Sequence, residues 1–189
     1  MRRVVVALLL GAAAATGIAW SLGAFGHSAT ETDPSVYPWP IGAGPRYQPA
    51  ALSAKVAAGA PIGRLRCGGT SSSFVVHVEL FAKRKVIVIP QGIGVSPHRC
   101  SYPVRTTAPT GVIHVDTTAG FRLGDLFAVW GRTLRADRLL SFGGRVSVFV
   151  DGHRFDGDPR DVPLTSHRQI VVETGGYVAP HAQYIFPKS

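Results

Sequence analysis

Apolar and polar positions alternate most cleanly from Phe74 to Ala82. There Val76, Val78 and Leu80 face one side, and Val75, His77, Glu79 and Phe81 the other. A period of two predicts a β-strand. Lys83-Arg84-Lys85 follows as a charged turn and Val86-Ile87-Val88-Ile89 as a return strand, so the two runs make a hairpin. Pro90-Gln91-Gly92-Ile93-Gly94 ends it. The stretch from Cys100 to Gly111 is irregular, with Pro103 and Pro109, and a second strand follows from Val112 to Asp116. Leu123, Leu126, Phe127 and Trp130 fall at i, i+3, i+4 and i+7, the core-facing stripe of an amphipathic helix, with Gly131 as its C-cap. Val146 to Val150 reads as a strand, Asp151-Gly152 as a hairpin turn, His153 to Phe155 as its return, and Ile170 to Glu173 as a last strand. No internal repeat is present. The layout is α+β: a single mixed sheet with one main helix packed on one face, of which the β-grasp arrangement is the nearest named candidate.

Upstream the patterning changes twice. Arg2 and Arg3 precede an uncharged stretch from Val4 to Phe25, which at 22 residues is long enough to span a bilayer core. The two arginines predict a cytoplasmic N-terminus and an exported remainder. A cleaved signal peptide shares this layout but has a shorter apolar region, and the small-residue cleavage signals around Ala24-Phe25-Gly26 and Gly26-His27-Ser28-Ala29 are weak. The favoured expectation is a single-pass anchor holding an extracytoplasmic domain at the cell membrane; cleavage would make the domain secreted. From Gly26 to Arg64 the chain carries Pro34, Pro38, Pro40, Pro45, Pro49 and Pro61 without periodicity, the pattern of an extended tether. The expected organisation is therefore a signal-anchor over 1–25, a tether over 26–64, a folded domain over 65–176 and a tail over 177–189.

Cys67 and Cys100 are the only cysteines. In an oxidising compartment two cysteines predict one disulfide, and the absence of a C-x-x-C spacing speaks against a redox-active pair. Formal charge is +9. Within 65–176, fourteen basic residues face nine acidic ones, enough for attraction to an anionic envelope polymer. The bases are scattered apart from Lys83-Arg84-Lys85, and no aromatics interleave with them, so the composition excludes a nucleic-acid role.

The familiar catalytic patterns are missing: G-x-S-x-G, H-E-x-x-H, S-x-x-K and the Walker loop. The acidic run Asp156-Gly157-Asp158-Pro159-Arg160-Asp161 lacks the glutamate and spacing of an EF-hand loop and reads as a turn. His27 and His181 fall in the chain ends, and His98, His153 and His167 in loop or turn segments without a near partner. What remains is a repeated His-x-carboxylate pattern: His77 with Glu79, and His114 with Asp116. In extended strands each pair shares a face, so adjacent strands would gather two imidazoles and two carboxylates. Such a set suits either a weak divalent-metal site or a polar sheet face.

Several segments together resemble a family of uncharacterised bacterial membrane-anchored exported proteins. They are Pro90-Gln91-Gly92-Ile93-Gly94, Cys100, Gly111-Val112-Ile113-His114-Val115-Asp116, the run from Leu123-Gly124 to Trp130-Gly131, and Gly157-Asp158-Pro159-Arg160-Asp161-Val162-Pro163-Leu164. The resemblance covers a little over half the chain and implies an extracytoplasmic domain with a histidine-clustered metal site. This chain departs from the pattern where it matters. Val75, His77 and Glu79 stand in place of alternating histidines, and Arg105-Thr106-Thr107-Ala108 in place of His-Thr-His-Asp. Most imidazoles are gone, and Arg105 adds a repelling charge. The expectation is a non-enzymatic binding or assembly module of the cell envelope, with no required cofactor. The alternatives are a copper- or zinc-binding envelope protein with a degenerate site, and a hydrolytic enzyme.

Overall fold

A computed structural model describes residues 36–40, 59–68, 74–96, 100–116 and 119–186. In chain order its elements are β1 (Val36–Pro40), β2 (Phe74–Ala82), β3 (Lys85–Ile87), β4 (Val104–Arg105), β5 (Val112–Val115), α1 (Leu123–Trp130), β6 (Leu134–Arg135), β7 (Arg138–Leu139), β8 (Phe142–Gly143), β9 (Val146–Val150), β10 (His153–Phe155) and β11 (Gln169–Thr174). A 3₁₀ turn over Pro159–Asp161 precedes β11. The architecture is a mixed sheet with one α-helix, strands predominating.

The large sheet runs β1-β3-β2-β11-β9-β10, with β5 also on β2 and β4 on β5. β2 and β11 lie parallel at its centre, in register from His77↔Gln169 to Ala82↔Thr174, and the other pairings are antiparallel. On its second edge β2 changes neighbour: residues 74–77 pair with β5 and residues 80–82 with β3. The sheet therefore forks beside Val78 and Glu79. The β2–β3 hairpin closes through Lys83 and Arg84, both at positive φ as a two-residue turn matched to strand twist requires. β6, β7 and β8 form a separate small meander.

Helix α1 forms where the stripe predicts. Leu123, Leu126, Phe127, Val129 and Trp130 are buried, the Arg122 N–H donates to the Asp125 carboxylate at 2.8 Å, and the helix ends at Gly131 in the left-handed region. Its stripe joins Val76, Val78 and Leu80 of β2, Ile113 and Val115 of β5, and Ile170 and Val172 of β11 in one core. Two of the family-like segments serve this core. The run after Gly157 carries the 3₁₀ turn and accepts the Leu123 N–H at the Val162 carbonyl, 2.8 Å. The Pro90–Gly94 turn is tied down by the buried Thr106, whose hydroxyl donates to the Pro90 carbonyl at 2.7 Å and accepts the Ile93 N–H at 3.0 Å.

Cys67 and Cys100 form a disulfide with Cα atoms 5.4 Å apart. In the chain-entropy description such a closure contributes about 3–4 kcal/mol. Several features depart from the sequence reading, among them the β6–β8 meander, which the pattern did not predict, and a return strand that spans Lys85–Ile87 rather than Val86 to Ile89. Val36–Pro40, within the expected tether, pairs as β1 with β3. Val104–Arg105, within a stretch read as irregular, pairs with β5. The segment from Tyr177 to Phe186, read as a tail, lies across the sheet. The apolar segment Val4 to Phe25, His27 and His98 lie outside the described residues, and no described helix is long and apolar enough to cross a membrane.

Candidate functional site

His77, Glu79, His114 and Asp116 occupy the sheet face turned away from α1. The register explains this. Val76, Val78, Ile113 and Val115 point into the helix-side core, and His114 stands opposite Val75, which shares its face with His77 and Glu79. Four side chains thus fall on one face, as the alternation predicts, but each finds a different partner.

His77 is buried, at 4% exposure. Its Nε2 lies 2.9 Å from the Thr110 carbonyl and its Nδ1 2.6 Å from the Gln169 side-chain amide. A carbonyl only accepts, so Nε2 carries a proton and donates to Thr110. In the neutral ring Nδ1 then accepts from the Gln169 amide nitrogen. With Oε1 toward the ring instead, that buried nitrogen has no partner, so the amide is better assigned the other way over. Tyr184 covers one face of the ring, with centroids 3.7 Å apart and planes 10° from parallel. Both nitrogens are engaged, and a metal would have to displace one of these bonds.

Glu79 turns to His181, whose Nδ1 lies 2.8 and 3.1 Å from the two carboxylate oxygens. His181 lies in a chain end where sequence gave it no partner, so that reading is corrected. Glu79 and His181 are 102 positions apart, too far for any local pattern to show. His114 shares a 2.9 Å hydrogen bond between Nε2 and the Thr107 hydroxyl. Burial pushes its pKa down, and Arg105, opposite it in the β4–β5 register, adds to the effect. Burial also lowers the Arg105 pKa, and the charge of Asp116 partly offsets this. Among the described residues no three His, Cys, Asp or Glu side chains converge as a metal site would need.

Where the sheet forks, a cleft of about 230 Å³ opens, lined by His77, Glu79, Val86, Val88, Thr110 and His181 among others. The Glu79–His181 pair at its rim is an oriented imidazole of the kind that serves as a general base. Among the described residues no hydroxyl or thiol hydrogen-bonds His181. A second hollow, about 360 Å³, gathers Arg64, Arg122 and Arg160 near the start of α1. Its arginines are neutralised in pairs, Arg64 with Asp125 at 2.7 Å, Arg122 with Asp161 at 2.5 Å and Arg160 with Asp158 at 2.6 Å.

Sequence reasoning missed the segment that covers the face. From Tyr177 the chain runs back over it, against the direction of β2 and β11. The Val178 N–H donates to Glu173 at 2.8 Å, His181 meets Glu79, Tyr184 stacks on His77, and Phe186 stands edge-on to His167. Val178 completes a small apolar cluster with Phe81, Phe149 and Val171. Val178, His181 and Tyr184 repeat at three-residue steps around Pro180, the period of an extended polyproline-type chain, and that was the available signal. His167, also read as partnerless, contacts Ser166 and Phe186. No family profile, curated protein or solved structure matches the chain. The family resemblance therefore rests on its motif residues alone.

Proposed function

We propose that this chain is a membrane-tethered, extracytoplasmic, non-enzymatic module that binds or assembles with envelope components through the sheet face opposite α1. The observation that carries the reading is the engagement of His77. Its two nitrogens bond Gln169 and Thr110, and its ring stacks on Tyr184, so the face already holds one peptide segment, the chain's own, through side chains. The hairpin, the helix and the order β3-β2-β11-β9-β10 with a parallel central pair support a β-grasp arrangement. The span Val4 to Phe25 behind Arg2 and Arg3 supports a single-pass anchor. A protein partner fits better than an anionic polymer, because the face mixes aromatic, imidazole and carboxylate groups and the arginine hollow is already charge-paired. The Glu79–His181 pair beside the cleft is the one arrangement among the described residues that favours the hydrolytic alternative, and the metal alternative rests on the His-x-carboxylate pattern alone.

Photo-crosslinking in the intact envelope tests this. A photoreactive residue at Ile185, on the strap over the face, should give discrete protein adducts. The same group at Arg135, exposed on the small meander, should give none. Equal labelling from both positions, or from neither, would contradict the reading.

A further inference from the structure

The segment Tyr177–Phe186 grips the sheet almost wholly by side chains. Among its described hydrogen bonds, one comes from its backbone, Val178 N–H to Glu173, and the rest of its hold is His181 on Glu79, the packing of Val178 and three ring contacts, Tyr177 on Phe149, Tyr184 on His77 and Phe186 on His167. It joins β11 through Gly175 and Gly176, at φ +72° and +142°, a conformation that lets the chain leave the sheet in more than one direction. Its outer side is unusually apolar. Among the described residues three large hydrophobic side chains are exposed, and two of them, Tyr177 at 66% and Ile185 at 89%, belong to this segment. Peeling it away would bare Phe81, Phe149 and Val171, so the groove needs an occupant with an apolar residue, a histidine and an aromatic at three-residue steps.

We propose that the groove is an assembly site that takes Tyr177–Phe186 from a second copy of this chain, the two copies exchanging tails about Gly175–Gly176. This rests on the binding reading above and names its partner. Exchange preserves every contact of the groove and changes only the path of the two glycines, which is why swapping is a low-cost route to a dimer. A short flexible connection holds a cis tail at millimolar effective concentration, so exchange belongs to crowded conditions such as a shared membrane surface. In the paired state, Tyr177 and Ile185 lie where the second copy can cover them.

The chain has no free cysteine among its described residues, and its two cysteines are bonded to each other, which makes a thiol trap clean. A Cβ on Gly152 would lie 3.0 Å from the Ala182 Cβ. Full-length chains carrying Gly152→Cys and chains carrying Ala182→Cys are mixed, reconstituted densely in vesicles and oxidised. Covalent heterodimer should form at about tenfold the yield of an Arg135→Cys and Ala182→Cys control mixture, and should fall with dilution in the bilayer. Gly152 sits at positive φ, so the oligomeric state of the unsubstituted full-length chain at high concentration in detergent is measured alongside, dimeric if the segments exchange and monomeric if they do not. Heterodimer no more abundant than in the control, with the doubly substituted chain closing only on itself, would overturn the exchange. Adducts at Ile185 without heterodimer would leave the binding reading standing and remove its second-copy partner; loss of both would remove both.

Discussion

Gly111 marks how tightly the polar face is built. It sits at φ +76°, and a Cβ there would lie 2.5 Å from the Val78 carbonyl and 2.9 Å from His77 Nε2. Gly111→Ala should therefore destabilise the chain by about 2–3 kcal/mol in chemical denaturation, combining left-handed strain with displacement of the His77 ring. His114 gives a pH-dependent test. Burial first, and Arg105 second, disfavour its charged form in the folded state. The stability it contributes is complete above its ordinary pKa of about 6.5 and is lost as pH falls below that value. Its ring resonances should titrate below 6.5, and Arg105→Gln should move the midpoint upward without restoring it fully, because burial persists. An unmoved midpoint would show that Arg105 does not act on this ring. The His-x-carboxylate alternation made the shared face of these residues legible. Their partners were not, since Gln169 and His181 come from strands and segments about a hundred positions away in the chain.

At the scale of elements, legibility followed length and period. β2, β9 and α1 each hold enough residues for a period of two or 3.6 to emerge, and their spans agree with the pattern to within a residue. β4, β6, β7 and β8 have two residues each, too few to carry any period. The described strap over the polar face has no hydrogen-bonded ladder, and its conformation comes from ring contacts and two carboxylates, Glu79 and Glu173. Helix and strap should accordingly differ in weight. Leu126, fully buried in the stripe, should cost about 2–5 kcal/mol when replaced by Ala. Tyr184→Ala should cost nearer 1 kcal/mol, since one ring face is lost at the edge of the fold. Comparable losses by equilibrium unfolding would mean that the strap is part of the core.

For the whole molecule, the two faces of one sheet divide the work. The face toward α1 supplies the apolar core, and the opposite face carries the imidazoles, carboxylates and their cover. The parallel β2–β11 pair joins them, a contact between segments so distant that sequence pattern gives no register for it. The central claim is that His77 is engaged by protein and serves recognition rather than ligation. Metal content measures this most directly. The full chain is incubated with zinc and, separately, with copper, dialysed, and compared with a His77→Ala/His114→Ala variant. Well under one metal per chain, equal in both proteins, is the predicted result. One equivalent retained by the natural chain and lost from the variant would contradict it.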